Sequence, residues 1–544
     1  MMCERSGYNP DMESPLIEEK SANQQIARAT GTVMFAFIIG QVFSLLSQVL
    51  IARQFGTGAE IDAFNAANKL PDILYQLIAG GALASAFVPM FSTLLARGER
   101  QKSWLLASSV ANLVTLILVI VSALTAVFAP WVMRNVLAPG FTDPIQFKLA
   151  VELMRIQLVA PLIFGVSGLV MGILNSHQSF LWPALAPAMY SIGKIIGVLF
   201  LAPSMGIYGL AIGVIGGALM HGLVQLPALL RLPERRYALT LGMRMTEVRE
   251  VARLMGPRLL GVAFVQLNFL INIRLASGHG EGAVTAIQSG FGLMLIPEIA
   301  IAQSIAIAAL PTFSAQVAKG QLNEMRSSLA ALLRGVLLLA VPASLGLILL
   351  AKPVVAFIFQ RGAFDLNSTE LVAWALVWYA AGLVGHSIVE IVSRAFYALH
   401  DTKTPVFVGV AAMSLNIALS ILFSRWFISI GWMPHGGLAL ANSLATFLES
   451  FVLLFFMRRR LSGLEGGRVL NGLWKALAAG GAMTAAIWGW VLVTSKSGSW
   501  LVPLGGIAAG ALVYGVVLIL LRTPEISKAI EFLKRKLIPT QKPG

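Results

Sequence analysis

One pattern occurs twice, and both copies close an apolar stretch long enough to cross a membrane. The first reads Ala86-Phe87-Val88-Pro89-Met90-Phe91-Ser92, then Ala96-Arg97-Gly98. The second reads Ala308-Ala309-Leu310-Pro311-Thr312-Phe313-Ser314, then Ala318-Lys319-Gly320. The copies lie 222 residues apart (Pro89 to Pro311), and the same offset pairs Pro183 with Pro405, Gly140 with Gly362 and Asp143 with Asp365. A membrane chain built from two like halves holds its cargo between them and works by rocking one against the other. A transporter is therefore the first expectation.

The 544 residues are 57% hydrophobic and 12% charged, with a mean hydropathy of +0.79. A water-soluble domain cannot bury that much apolar surface. Segments of about 20 apolar residues, each spanning a hydrocarbon core of about 30 Å, can. Backbone groups in hydrocarbon must be satisfied within the segment, so the spans are helices. The apolar runs are continuous and do not alternate, which argues against a barrel. The fold class expected is all-α integral membrane.

The pattern predicts about fourteen spans, near 31–52, 66–96, 104–133, 147–174, 179–202, 206–230, 255–277, 283–312, 327–358, 368–394, 405–428, 436–457, 471–494 and 498–521. The offset makes spans one to six one repeat and seven to twelve the other. Six is even, so the repeats are parallel, related by an axis along the membrane normal. The organisation expected is a polar cytoplasmic tail (1–29), an N-lobe (30–230), a basic linker (231–254), a C-lobe (255–460), two extra helices (461–522) and a basic amphipathic tail (523–544). No removable leader is expected, because no short apolar core with a cleavage site precedes the first span.

The net charge of +15 does not imply nucleic-acid binding. Its cations sit in the connections, with an excess of about three to one in the tails and even-numbered loops, as the positive-inside rule requires. Both termini are thus expected in the cytoplasm. One cysteine, Cys3, rules out a disulfide framework. No zincin, nucleophile-elbow or Walker motif is present, and the six histidines are scattered. The expectation is a transporter that is not an enzyme, with no cofactor and no metal.

Polar groups inside spans are costly unless they meet a cavity or a partner. Gln41, Gln48, Asp72, Tyr75 and Gln76 fall in spans one and two, with Arg53, Asp62 and Lys69 in or beside their connection. Their repeat partners, spans seven and eight, carry Arg258, Gln266, Asn268, Asn272, Arg274, Gln288, Glu298 and Gln303. These residues are the candidate substrate cavity, although any single Gln or Asn serves equally well as a helix-to-helix hydrogen bond. Gly290, Gly292 and Pro297 form a candidate hinge, since proline removes a backbone donor and bends a helix. Lys194, His221, His386, Glu390 and Glu449 stand isolated in their spans. Gly209, Gly213 and Gly217 recur every four residues and suit close helix packing.

Several motifs resemble the MurJ/MviN family of bacterial lipid II flippases. They are Ala52-Arg53-Gln54-Phe55-Gly56, Asp62-Ala63-Phe64, Lys69-Leu70-Pro71 and Ala86-Phe87-Val88-Pro89. Gly172-Ile173-Leu174-Asn175, Met255-Gly256-Pro257, Phe359-Gln360-Arg361-Gly362-Ala363-Phe364 and Phe396-Tyr397-Ala398-Leu399-His400-Asp401-Thr402-Lys403-Thr404-Pro405 follow in the same order. The resemblance runs from about residue 30 to 520. It implies the fourteen-helix fold of the multidrug/oligosaccharidyl-lipid/polysaccharide exporter superfamily, with the last two helices forming a groove for a lipid tail. It also implies alternating-access flipping of an undecaprenyl-linked peptidoglycan precursor across the cytoplasmic membrane, in cell-wall biosynthesis.

The partners implied are that precursor and membrane lipids, with a coupling ion as one source of drive, acting on a monomer. Where the family carries cavity arginines and glutamates, this chain has Gln41, Ser47, Tyr75, Gly80, Gly292 and Leu295. An exporter of another polyprenyl-linked glycan or amphiphile, and a non-transporting membrane scaffold, are the alternatives.

Overall fold

A computed structural model describes residues 36, 38–78, 82–233, 235–494 and 500–525. The N-terminal tail (1–29), the tail beyond 525 and Gly80 lie outside the described residues. Among those residues the chain is helical, with no strand. The helices are α1 (Ile38–Phe55), α2 (Ala59–Ile78), α3 (Ala82–Ala96), α4 (Arg100–Val127), α5 (Pro144–Ser176), α6 (Leu181–Met205), α7 (Ile207–Leu230) and α8 (Thr246–Ala276). They continue as α9 (Ala283–Ala318), α10 (Leu322–Leu349), α11 (Ala351–Phe359), α12 (Leu366–Ala381), α13 (Leu383–Ala398), α14 (Lys403–Ser429), α15 (His435–Arg460), α16 (Gly466–Thr494) and α17 (Leu501–Leu520).

Eleven of these are long and apolar enough to cross a membrane, and α12 with α13, bent by 47°, makes a twelfth. The chain is an all-α integral membrane protein. The count of fourteen is not reached among the described residues. The other two expected spans, 66–96 and 255–277, are helical where described, as α2 with α3 and as α8, and each includes positions whose backbone or side chains lie outside the described residues.

Helix starts follow local chemistry. Asp143 precedes Pro144 at the head of α5 and accepts hydrogen bonds from Ile145 N (3.1 Å) and Gln146 N (3.2 Å). Its repeat partner Asp365 accepts from Ser368 N (2.7 Å) at the head of α12. Both are N-caps that satisfy otherwise orphan amides. At the far end of α15, Arg458, Arg459 and Arg460 complement the helix dipole.

The helices gather into two compact units. The first comprises residues up to Ile51, Leu70–Ala129 and Glu152–Leu260. Its core joins α3, α4 and α5 through Phe87, Phe91, Leu106, Leu118 and Ile173. Gly193 and Gly197 of α6 meet Gly217 and Gly213 of α7, and a Cβ on Gly197 would lie 2.7 Å from the Gly213 backbone. The glycine ladder is thus a close helix contact.

The second unit comprises Ala52–Lys69, Pro130–Val151 and Gly261 onward. Phe313, the repeat partner of Phe91, is fully buried there among Met325, Leu329, Phe396 and Leu453. Helices α16 and α17 pack on α10, where the Tyr514 hydroxyl donates to Leu338 O at 2.8 Å.

Candidate functional site

The richest polar assembly lies in the second unit, where the connection after α1 meets the heads of α9 and α12. Gly56 turns the chain with φ +61°, a left-handed conformation that favours glycine. Arg53 O then accepts Ala363 N at 2.8 Å, and the Thr57 hydroxyl donates to Ser368 Oγ at 2.9 Å. The Glu281 carboxylate accepts Ala59 N at 2.8 Å. Ala59 and Glu281 are 222 residues apart, the repeat offset itself, so repeat-equivalent positions touch. That is how residues near a two-fold axis behave.

Asp62 is the centre of this assembly. It is 1% exposed. Its carboxylate accepts Gly282 N (2.7 Å), Thr285 N (2.8 Å) and Thr285 Oγ1 (2.6 Å). Gly282 is the N-cap residue of α9 and has no side chain with which to cap it. Asp62 supplies that cap from a helix more than 200 residues earlier, placing a carboxylate at the positive end of the α9 dipole. Asn65 Nδ2 donates to Thr285 Oγ1 at 2.9 Å and extends the contact.

Further along α2, Lys69 Nζ donates to Gln266 Oε1 at 3.1 Å and lies 4.8 Å from the centre of the Phe269 ring. The Lys69 side chain thus rests between an amide oxygen and an aromatic face. The other α8 amides face α14. Asn272 Nδ2 and Asn416 Nδ2 both donate to Asn268 Oδ1 at 3.1 Å, and the Ser420 hydroxyl donates to Asn272 Oδ1 at 3.3 Å. These asparagines hold α8 to α14. The Arg274 guanidinium donates to Asn135 O, beside the Gly140 N to Ser277 Oγ contact of 3.2 Å.

Along α9, Gln288 is exposed and Gly292 half-buried. Gly290 sits against α12, where a Cβ would lie 2.9 Å from Ala375 Cβ. After Pro297 the α-helical pattern gives way to a π turn over Ile299–Gln303, which ends on half-buried Gln303. Such turns concentrate at functional sites. Glu298 is buried. Glu390 and Arg394 of α13 act on it electrostatically and are themselves paired at 2.5 Å.

The first unit has its own polar set. Gln41 and Gln48 are exposed on α1. Asp72 Oδ2 accepts Gln76 Nε2 at 2.9 Å, and the Tyr75 ring packs 4.4 Å from Phe164. Lys194, isolated in the sequence, sits 4.7 Å over the Tyr190 ring, within electrostatic reach of Asp72. Ser167 Oγ, His221 Nδ1 and Gln225 form a buried cluster, with Ser167 Oγ 2.6 Å from the imidazole and 2.9 Å from Gln225 Nε2. The side chain of Arg258 lies outside the described residues.

Sequence reasoning missed Thr57, Asn65, Glu281, Gly282, Thr285 and Ser368. The available signal was the bare start of α9, Gly282-Ala283-Val284, with no capping side chain.

A profile of the family described as Lipid II flippase MurJ matches residues 51–504. The chain belongs to the MurJ family. The lipid II flippase MurJ of Burkholderia cenocepacia is 31% identical over 438 residues, covering 80% of this chain and 84% of the relative. A probable lipid II flippase MurJ of Haemophilus influenzae is 29% identical over 511 residues, covering 89% and 98%. A solved lipid II flippase MurJ in an inward closed conformation superposes with a TM-score of 0.76 at 26% identity, covering 91% of this chain and 99% of that one. An inward-facing MATE family transporter of the MOP superfamily shares the fold, with a TM-score of 0.64 at 15% identity, covering 80% of this chain and 99% of that one.

The departures from the MurJ pattern can now be placed. The Ser47 hydroxyl donates to Ser44 O at 2.8 Å within its own helix. Tyr75 packs on Phe164, and Gly292 and Leu295 are half-buried on α9. None of these four carries a charge to offer a phosphate.

Proposed function

We infer that the chain flips a lipid-linked peptidoglycan precursor, lipid II, from the inner to the outer leaflet of the bacterial cytoplasmic membrane. The observation that carries this reading is the match to the MurJ family along 51–504, most of the chain. A sugar–pyrophosphate headgroup cannot cross hydrocarbon unaided, because each unpaired polar group costs several kcal/mol there. Each unit offers polar residues to lower that cost: Asp72, Gln76 and Lys194 in the first, Lys69, Gln266, Arg274, Gln288 and Glu298 in the second. Lys69, in the second unit, is the cation proposed for the diphosphate.

Asp62 is the latch in this mechanism. With its three hydrogen bonds made, the connection after α1 is tied to the head of α9. Cargo release on that side requires those bonds to part, which is the two-state element that alternating access needs. The π turn after Pro297, with Gly290 and Gly292, is the hinge on which α9 changes shape. Both termini are cytoplasmic, as the basic tails and even-numbered connections support. The lobes run 30–230 and 255–460, with α16 and α17 as a lipid-tail groove, and the protein works as a monomer. No nucleotide motif is present in the sequence, so the drive is the membrane potential, an ion gradient or consumption of product outside.

Replacing the flippase of a depleted bacterium with this chain tests the reading. Growth and outward-facing precursor restored by the wild type but not by Asp62→Ala support it. Precursor that stays in the inner leaflet overturns it. A second reading, export of another polyprenyl-linked glycan, is favoured by Gln41, Ser47, Gly292 and Leu295 at positions where the family carries charge. Comparing lipid II with other polyprenyl phosphates for binding to purified protein separates the two.

A further inference from the structure

Glu449 has no role in the site above. It lies on α15 eleven residues before Arg460, about 16 Å along the helix axis, which places it near the middle of a hydrocarbon core of about 30 Å. It is 9% exposed and makes no hydrogen bond or ion pair among the described residues. Its side chain forms the floor of a groove of about 270 Å³ between α14 and α15. The walls are apolar, and Phe407, Leu415, Leu448 and Val452 form an exposed rim. The carboxyl rests against Gly409, where a Cβ would lie 3.4 Å from Glu449 Oε1. Glycine there leaves room for the acid.

The titratable and charged groups on the helices packed against α15 are few. They are Glu298 on α9, Glu370 and Tyr379 on α12, and His386, Glu390, Arg394 and Tyr397 on α13, with Lys403 and Arg425 near the ends of α14. Arg394 is taken by Glu390 at 2.5 Å, and His386 Nε2 lies 3.1 Å from Asn442 Oδ1. Glu449 acts electrostatically on Tyr397. Among the described residues no cation pairs with the carboxyl, and an unpaired carboxylate in hydrocarbon is strongly disfavoured.

We propose that Glu449 is a proton-binding site that opens to lipid, its carboxyl resting as the neutral acid in the groove between α14 and α15. Ionisation then requires water or a cation to enter the groove beside Gly409. The assignment concerns the carboxyl and stands whichever cargo the protein carries.

An apolar carbodiimide tests it directly on the full chain in phosphatidylethanolamine–phosphatidylglycerol vesicles. A neutral acid adds across one C=N bond of dicyclohexylcarbodiimide. Its proton goes to nitrogen and its oxygen to the central carbon, leaving an adduct heavier by one whole reagent. A carboxylate has no proton to give. Peptide mass spectrometry at neutral pH should find Glu449 modified on the order of tenfold more than exposed Glu370. The yield should fall in alkali, and a water-soluble carbodiimide should spare Glu449. Glu449→Gln should fold with unchanged thermal stability and lose the adduct. No Glu449 adduct at any pH, or equal reaction with the water-soluble reagent, overturns the proposal.

Discussion

Asp365 and Asp62, both in the second unit, cap helices at very different ranges. Asp365 caps the helix that begins at the next residue, accepting Ser368 N at 2.7 Å. Asp62 caps α9 from more than 200 residues away, with three bonds of 2.6–2.8 Å. A local cap is remade whenever its helix forms, so it stabilises an element. A remote cap exists only when two distant segments meet, so it stabilises an arrangement. The same chemistry therefore holds a single helix in one place and two distant segments in the other.

Substitutions can break that contrast. The largest effect is expected for Asp62→Ala, which strips three hydrogen bonds from buried donors and should remove about 3 kcal/mol from this arrangement. Complementation should fail, while thermal unfolding in detergent shows a protein that still folds. A variant that transports normally would reduce Asp62 to an ordinary cap. Next is Gly362→Ala. Gly362 has φ +63° and lies on the Arg53 backbone, so an added Cβ meets strain and a clash together. About 2 kcal/mol of stability should be lost, read as a lower Tm.

Asp365→Ala should lower stability by about 1 kcal/mol, the usual value of an N-cap, and leave the transport rate unchanged. The Ser368 amide and hydroxyl hold the Asp365 carboxyl below its ordinary value of 3.8. A depressed folded-state value means its contribution is complete above that ordinary value and fades as pH falls through the lower one. Wild type should therefore lose its advantage over Asp365→Ala in acid, which paired melting curves across that range would read. The smallest effect is expected at Lys352–Glu370, an exposed pair at 2.7 Å. Lys352→Ala should stay within about 0.5 kcal/mol of wild type by thermal unfolding.

The legible part of the fold was whatever repeats or alternates locally. The twinned proline–phenylalanine motif placed Phe91 and Phe313 in equivalent cores, and the glycine ladder of α7 announced its contact with α6. The site was harder to read, because its contacts join residues that no local pattern connects. Asp62 was marked by its charge, but its partners include backbone amides, which every sequence supplies everywhere. Asn268 and Asn272 have the composition of cavity residues and spend their amides on α14. Lys194 looked solitary because the Tyr190 ring beneath it reads as ordinary core.

The meeting of Ala59 with Glu281 has an evolutionary corollary. In a homodimer of one repeat, a side chain on the symmetry axis can only face its own copy, and an acid there would face an acid. Joining the copies into one polypeptide lifts that restriction. One copy was then free to present a carboxylate, Asp62, while the region around the other, Gly282 to Thr285, offers donors. In the single chain the two sides of the lock are unlike, a carboxylate on one and donors on the other.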